Sequence, residues 1–173
     1  MLIAKTYKVL GMNFSVIAKQ EQKKVIVLTS GFTSIAALAK SSNLRNIKKV
    51  NSIPEVSKAI DDWIKGDLST ITNVKVVQTG PIFYANAWKQ MRTIKPGKLI
   101  SYTTLAKKSG NKLAVRAAGT ACAQNKIALF VPCHRIIRSD GSIGNYAYSV
   151  TTKRKLLAHE IGPQISLKQA LQK

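Results

Sequence analysis

Apolar residues near the start of the chain fall in short runs separated by turn residues, a pattern typical of β-strands. Residues 3–10 and 13–18 lie on either side of Gly11, and residues 24–29 form a third run. These runs predict a small antiparallel sheet. Residues 73–78 predict one further strand.

Helical spacing appears at residues 54–65, where apolar side chains recur every three or four positions. Pro54 suits the first turn of this helix and Gly66 suits its C-terminal cap. A shorter helix is predicted over residues 34–40. Residues 1–78 contain no catalytic combination of side chains, and we interpret them as a small structural α/β domain.

The pattern is mostly helical after a linker at residues 79–81. Helices are predicted over residues 82–92, 101–108 and 112–124, and Gly110 separates the last two. Two short helices joined by a glycine turn are typical of a helix-turn-helix. Many other helix pairs share this spacing, so it leaves DNA binding as one alternative among several.

The composition of the chain is that of a globular protein, with 45% hydrophobic residues in 173. No apolar run approaches the roughly 18 residues that a membrane span needs. The first five residues are too short an apolar stretch for a signal peptide. Cys122 and Cys133 give no disulfide framework, which favours the cytoplasm. Two cysteines and two histidines also make a poor structural zinc site, so we expect no bound metal.

Positive charge is the strongest compositional signal, because 28 Lys and Arg face only 7 Asp and Glu, a formal +21. Residues 81–173 carry 16 basic and 2 acidic groups, a formal +14, and residues 1–80 carry the other +7. Attraction of phosphate is the leading physical use of such a field. A generally lysine-rich proteome is the alternative, and the scattered lysines of the first half favour it there.

One stretch combines the parts of an activated nucleophile. Cys133 follows a buried-type apolar run and precedes His134, while the other histidine, His159, is followed by Glu160. A nearby imidazole can generate the reactive thiolate, and a carboxylate can orient the imidazole. The alternative is an inert buried cysteine beside a structural histidine.

The predicted helix 112–124 carries few bulky side chains. Arg116 is its one long cation among alanines and a glycine. A helix that reads base edges in the major groove needs Arg, Asn or Gln on that face. A small-residue face instead permits close approach without sequence readout.

Taken together, residues 82–160 resemble the O6-alkylguanine-DNA alkyltransferases, that is, the methylated-DNA–protein-cysteine methyltransferase family. The segments that carry the resemblance are Leu99-Ile100-Ser101-Tyr102, Leu105-Ala106, Gly110-Asn111, Val115-Arg116-Ala117-Ala118-Gly119, Asn125, Val131-Pro132-Cys133-His134-Arg135-Ile136-Ile137, Gly144-Asn145-Tyr146 and Leu156-Leu157-Ala158-His159-Glu160. The resemblance covers about half of the chain. Residues 1–80 share only the looser pattern of the family's variable N-terminal domain, without the cysteines that bind zinc in some relatives.

The resemblance implies a chemical role for five residues. Cys133 would accept the alkyl group from guanine O6 in one irreversible displacement. His134 would take the thiol proton through a water molecule, and Glu160 would orient His134. Asn125 would steady the active-site turn, while Tyr102 would contact the base and its phosphate.

The resemblance also implies how DNA is held. Family members flip the target base from the minor-groove side and show little sequence preference. Arg116 would enter the base stack in place of the flipped base. The other expected DNA contacts are Tyr102, Ala117, Gly119, Thr120 and Arg135.

The alkyl pocket is expected to involve Ile136, Tyr146, Ala147 and Tyr148. This chain has Ala147-Tyr148 where the family usually has a glycine-containing loop. The size of the adduct that fits is therefore left open, as is repair of O4-alkylthymine.

These observations predict an α/β (α+β) fold with two domains and a tail. Residues 1–78 would form the N-terminal domain, residues 82–163 a mostly helical, winged-helix-like domain with the helix-turn-helix, and residues 164–173 the tail. The expected protein is a cytoplasmic, cofactor-free monomer that repairs double-stranded DNA in a single turnover. The alternatives are a non-catalytic lesion-binding relative, a sequence-specific winged-helix regulator and a cysteine hydrolase.

Overall fold

The computed structural model describes residues 1–22, 24–162 and 166–172. The chain forms two compact units of mixed α/β structure. The first unit comprises Met1–Gln78 together with Lys126–Phe130, and the second comprises Thr79–Asn125 and the chain from Val131 onward.

A four-stranded sheet, in the order β3-β2-β1-β4, forms the centre of the first unit. Its strands are β1 (Leu2–Val9), β2 (Met12–Glu21), β3 (Lys24–Gly31) and β4 (Ile47–Lys49). The pairs β1–β2 and β2–β3 are antiparallel, whereas β4 runs parallel to β1. Leu10 and Gly11 both have positive φ in the two-residue turn between β1 and β2, as a tight hairpin turn of the right twist requires. The three strands predicted before residue 30 are confirmed.

Two helices of this unit are α1 (Ile35–Ser41) and α2 (Pro54–Ile64). The Ser34 side chain accepts a hydrogen bond from the N–H of Ala37 and so caps α1. Pro54 begins α2 as predicted, because its missing N–H has no helical partner at that position. The buried residues of α2 follow its predicted apolar spacing, and Trp63 is its largest fully buried side chain.

The apolar segment 126–130 lies beside β3, whereas the sequence placed it in the C-terminal domain. Ser30 N–H donates to the Lys126 carbonyl at 2.9 Å, and Ala128 N–H donates to the Ser30 carbonyl at 3.1 Å. Residues 127–130 are fully buried, so their backbone groups need such partners. The strand predicted at residues 73–78 is wrong as a regular strand, since only Val76 forms a bridge, to Val27.

The second unit combines helices with a small three-stranded sheet in the order β6-β5-β7. Its elements are α3 (Ile82–Thr93), β5 (Leu99–Ser101), α4 (Tyr102–Lys108), α5 (Val115–Ala123), β6 (Ile136–Ile137), α6 (Val150–Ile161), α7 (Leu167–Ala170) and β7 (Leu171–Gln172). The mixed α/β class predicted from the sequence is confirmed. The winged-helix description of this unit stays a prediction.

The predicted helix pair is present as α4 and α5. Ser101 caps α4 by accepting from the N–H of Thr104 at 3.0 Å. Helix α5 begins three residues later than predicted, because the Asn111 side chain accepts from the Leu113 N–H and holds a turn there. Trp88 of α3 packs on α5 and donates its indole N–H to the Ala121 carbonyl at 2.8 Å.

The described part of the predicted tail packs within the second unit. Leu171 pairs in parallel register with Leu99, which adds β7 to the edge of β5. Ala170 lies in a buried cluster with Leu157 and Ile161 of α6. Apolar burial therefore holds residues 166–172 to this unit. Across the described residues, no helix is both long and apolar enough to cross a membrane.

Candidate active site around Cys133

Cys133 begins a single 3₁₀ turn, Cys133–Arg135, that connects a buried segment to β6. The Cys133 N–H donates to the Val131 carbonyl, and the Arg135 N–H donates to the Pro132 carbonyl. These two short-range bonds fold the chain tightly. All three side chains of the turn are buried, and Cys133 is 5% exposed.

Asn125, just beyond the C-terminal end of α5, fixes the cysteine directly. Its Nδ2 donates to the Val131 carbonyl at 2.8 Å and to Cys133 Sγ at 3.1 Å. An N–H donor stabilises a sulfur anion more than a neutral thiol. Asn125 therefore both anchors the turn and favours the thiolate.

The tautomer of His134 follows from its partner. Nε2 lies 3.1 Å from Glu160 Oε1, and both side chains are fully buried. A carboxylate can only accept, so the neutral imidazole carries its proton on Nε2. His134 Nδ1 is buried and has no hydrogen-bond partner among the residues that the structure describes. That nitrogen is left as the basic atom.

Arg135 is fully buried and its side chain bonds within the protein, so its role as a DNA contact stays a prediction. Its Nε and Nη2 each donate to a Glu160 oxygen at 2.8 Å, and its Nη1 donates to the Ile94 carbonyl at 2.6 Å. A two-pronged bond of this kind is the strongest geometry for an arginine–carboxylate pair. Arg135 holds the carboxylate that orients His134.

The pKa values of this cluster have opposing causes. Burial acts to raise the pKa of Glu160, but His134 and Arg135 outweigh it and hold that pKa well below its usual range. The carboxylate therefore contributes stability above its unfolded pKa of about 4.3, and this contribution is lost as pH falls toward the folded value. Burial also lowers the pKa of His134 against the opposing effect of Glu160, which favours the neutral base.

Opposing effects act on the Cys133 thiol. Burial raises the pKa of Cys133, while the hydrogen bond from Asn125 and the charge of Lys153 act to lower it. The raised pKa favours the thiol over the thiolate, so a proton acceptor beside Cys133 would assist its reaction. A neutral imidazole close by suits that step.

Cys133 opens onto a cavity of about 190 Å³ in the second unit. The residues that line it are Tyr102, Gly119, Cys122, Ala123, Cys133, Asn145, Tyr146 and Ala147.

Gly144 has φ +70°, and a Cβ there would lie 3.1 Å from the Tyr102 hydroxyl. The glycine thus lets the backbone approach the tyrosine closely.

Comparison with known proteins identifies the family. The family model described as "6-O-methylguanine DNA methyltransferase, DNA binding domain" matches residues 82–162. A methylated-DNA–protein-cysteine methyltransferase of Kluyveromyces lactis is 36% identical over 144 residues, which cover 83% of this chain and 76% of that protein. This chain belongs to the methylated-DNA–protein-cysteine methyltransferase family.

Two further comparisons show how much of this chain resembles known proteins. The bifunctional transcriptional activator/DNA repair enzyme Ada of Escherichia coli is 43% identical over 81 residues, 47% of this chain but only 23% of Ada. The crystal structure of Mycobacterium tuberculosis O6-methylguanine methyltransferase has a TM-score of 0.77 at 22% identity, covering 96% of each chain. The first match spans less than half of this chain, and the second shows the shared fold.

The structure brings most of the expected chemical residues of this family together. Cys133, His134, Glu160 and Asn125 form one connected cluster, and Tyr102 lies across the cavity. Tyr146 and Ala147 are among the residues that line the cavity, whereas Ile136 and Tyr148 are not, and the alkyl-pocket role of all four stays a prediction.

Packing explains both exceptions. Ile136 is fully buried in β6, and Tyr148 contacts the edge of the Tyr146 ring at 5.7 Å between ring centroids. Cys122 also lines the cavity.

The expected DNA-contacting residues of α5 all lie on its exposed or half-buried side. Arg116 and Thr120 are exposed, and Ala117 and Gly119 are half-buried. The neighbouring small residues Ala118 and Ala121 are buried and pack inward. Only one side of the helix therefore remains open to a partner.

Lys153 is a functional candidate that the sequence analysis missed. It lies on α6 at helical spacing from the buried residues Leu156, Leu157 and Glu160, and it is itself fully buried. A lysine on an otherwise buried helical face was the available signal.

Replacing Arg135 with Met should destabilise the fold by about 3–5 kcal/mol, because Glu160 would lose two hydrogen bonds and its compensating charge inside the protein. Arg138→Met is the matched control, since Arg138 is exposed and should cost no more than about 0.5 kcal/mol. Urea unfolding followed by far-UV circular dichroism measures both. Equal, small losses would contradict the buried ion pair.

Proposed function

We propose that this protein repairs O6-alkylguanine in DNA by moving the alkyl group irreversibly to Cys133. The observation that supports this most strongly is the cluster in which Cys133 Sγ accepts from Asn125 and faces a cavity, beside a neutral His134 paired with Glu160. Three buried polar side chains beside one thiol suit chemistry at sulfur. The cluster falls within residues 82–162, which match the family's DNA-binding domain.

The proposed step balances as a single displacement. Sγ loses its proton toward His134 Nδ1, directly or through a water molecule, and attacks the alkyl carbon. The new S–C bond forms as the O6–C bond breaks, and the bonding electrons leave with the guanine. The Tyr102 hydroxyl can supply a hydrogen bond to the departing base, because burial raises its pKa to about 12 and keeps it protonated.

The product accounts for a single turnover. A thioether has no acidic proton and is a poor leaving group, so nothing in the proposed step regenerates the thiol. The protein is then consumed as a reagent, and it needs no cofactor.

Access to O6 requires the base to leave the duplex, since that atom is engaged in pairing. Arg116 is exposed in the first turn of α5, and Gly119 and Ala123 of the same helix line the cavity. A helix with small side chains can lie close to the minor groove with little sequence readout. The formal charge of +21 supports binding through phosphates, which is sequence-tolerant and salt-sensitive.

Substituting Cys133 by Ala should abolish transfer of a labelled methyl group from O6-methylguanine DNA to the protein while DNA binding persists. In the wild-type protein the label should map to the Cys133 peptide and not to the Cys122 peptide, which serves as an internal control. Peptide mass spectrometry and a gel-shift assay measure the two properties. Methyl transfer to the Cys133→Ala variant would refute the assignment, and binding without transfer in the wild type would favour a lesion-binding protein.

Replacing Arg116 with Ala should slow repair of duplex DNA much more than reaction with free O6-alkylguanine, because only the duplex requires a side chain in the stack. Lys112→Ala is the matched control, since Lys112 is an exposed cation just before α5. Single-turnover rates on both substrates measure the difference. Equal losses for the two variants would indicate a purely electrostatic role for Arg116.

A further inference from the structure

Lys153 is a buried cation that the proposed chemistry does not yet use. Its side chain is fully buried, and no carboxylate among the described residues forms an ion pair with it. Its ammonium donates to the carbonyls of Ile136 at 2.6 Å, Ile143 at 2.7 Å and Asn145 at 3.4 Å. Lysine is almost never buried without a partner charge, so its retention here needs a reason.

The three carbonyls come from two segments of the chain beside the site. Ile136 follows the Cys133 turn directly, whereas Ile143 and Asn145 flank Gly144 in the loop that continues to Tyr146 and Ala147. Residues 138–149 form no helix or strand within this fully described stretch. One ammonium group thus ties the active-site turn to an irregular loop.

The same ammonium acts on the cavity electrostatically. Its charge lowers the pKa of Cys133 against the effect of burial. Burial lowers the pKa of Lys153 to about 8, while Cys133 and Cys122 act to raise it and Arg138 acts to lower it. Lys153 also lies 6.0 Å from the centre of the Tyr102 ring. Lys153 thus interacts electrostatically with both cysteines of the cavity.

We propose that Lys153 is a positioning residue for alkyl transfer, which holds residues 143–145 against the Cys133 turn and whose charge favours the thiolate as Sγ reacts. The proposal rests on the proposed function of Cys133. Asn125 supplies one hydrogen bond to the sulfur, and Lys153 supplies the nearby positive charge that Arg135 cannot, because Glu160 neutralises Arg135.

The test measures how Cys133 reacts with iodoacetamide across pH, which requires no DNA and no repair activity. Lys153→Met removes the charge and the three hydrogen bonds, and Lys155→Met removes an exposed charge from the same helix. Peptide mass spectrometry follows Cys133 separately from Cys122. Below about pH 8, where Lys153 keeps its charge, loss of that charge should lower the thiolate fraction of Cys133 by about tenfold or more.

The expected result is a pH profile shifted upward for Lys153→Met and unchanged for Lys155→Met. Methyl transfer from DNA should fall in the same variant by at least the same factor. An unshifted profile in folded Lys153→Met protein would overturn the proposal. Failure of methyl transfer in the wild type, with the shift still present, would instead count against the proposed function.

Lys153→Arg separates charge from geometry and covers the case in which the Met variant does not fold. Arginine keeps the charge, but its planar fork cannot repeat the lysine's three contacts. The pH profile should therefore stay close to the wild type while methyl transfer slows. If neither Lys153→Met nor Lys153→Arg folds, Lys153 is needed for stability alone, and the positioning role is overturned.

Discussion

The buried carboxylate of Glu160 is the interaction on which the site depends. It accepts one hydrogen bond from His134 and two from Arg135, and so joins α6 to the turn that begins at Cys133. An ion pair of this kind gains little net stability over apolar packing, but removing one partner leaves an uncompensated charge inside the protein. The cluster is therefore better understood as a device that fixes geometry than as a source of stability.

Several features of the proposed chemistry follow from that carboxylate. It holds the proton of His134 on Nε2, which leaves Nδ1 as the base, and Arg135 keeps the carboxylate itself ionised. Asn125 then sets the position of the sulfur from the other side of the turn. Cys133, His134, Asn125 and Glu160 are all buried, and among the described residues Cys133 lines a cavity that would admit the proposed substrate.

The sequence singled out the residues that lie together in this cluster, because Cys133 and His134 are adjacent, and Asn125 and Glu160 were matched through the family pattern. It could not predict the direction of Arg135, since a cation beside a DNA-binding site is as compatible with phosphate as with a buried carboxylate. It missed Lys153 because a lysine in a basic chain attracts no notice until its burial is known. Segment 126–130 was misplaced for a related reason: an apolar run shows that it is buried but not against which sheet.

The tautomer and charge of His134 provide the most direct test of the proposed chemistry. Nitrogen NMR of the protein labelled with ¹⁵N-histidine gives only two imidazole environments, because the chain has two histidines, and a His134→Gln variant assigns them. At neutral pH we expect a neutral His134 with its proton on Nε2 and an unprotonated Nδ1. A protonated imidazolium, or a neutral ring with the proton on Nδ1, would contradict the role of Nδ1 as the base.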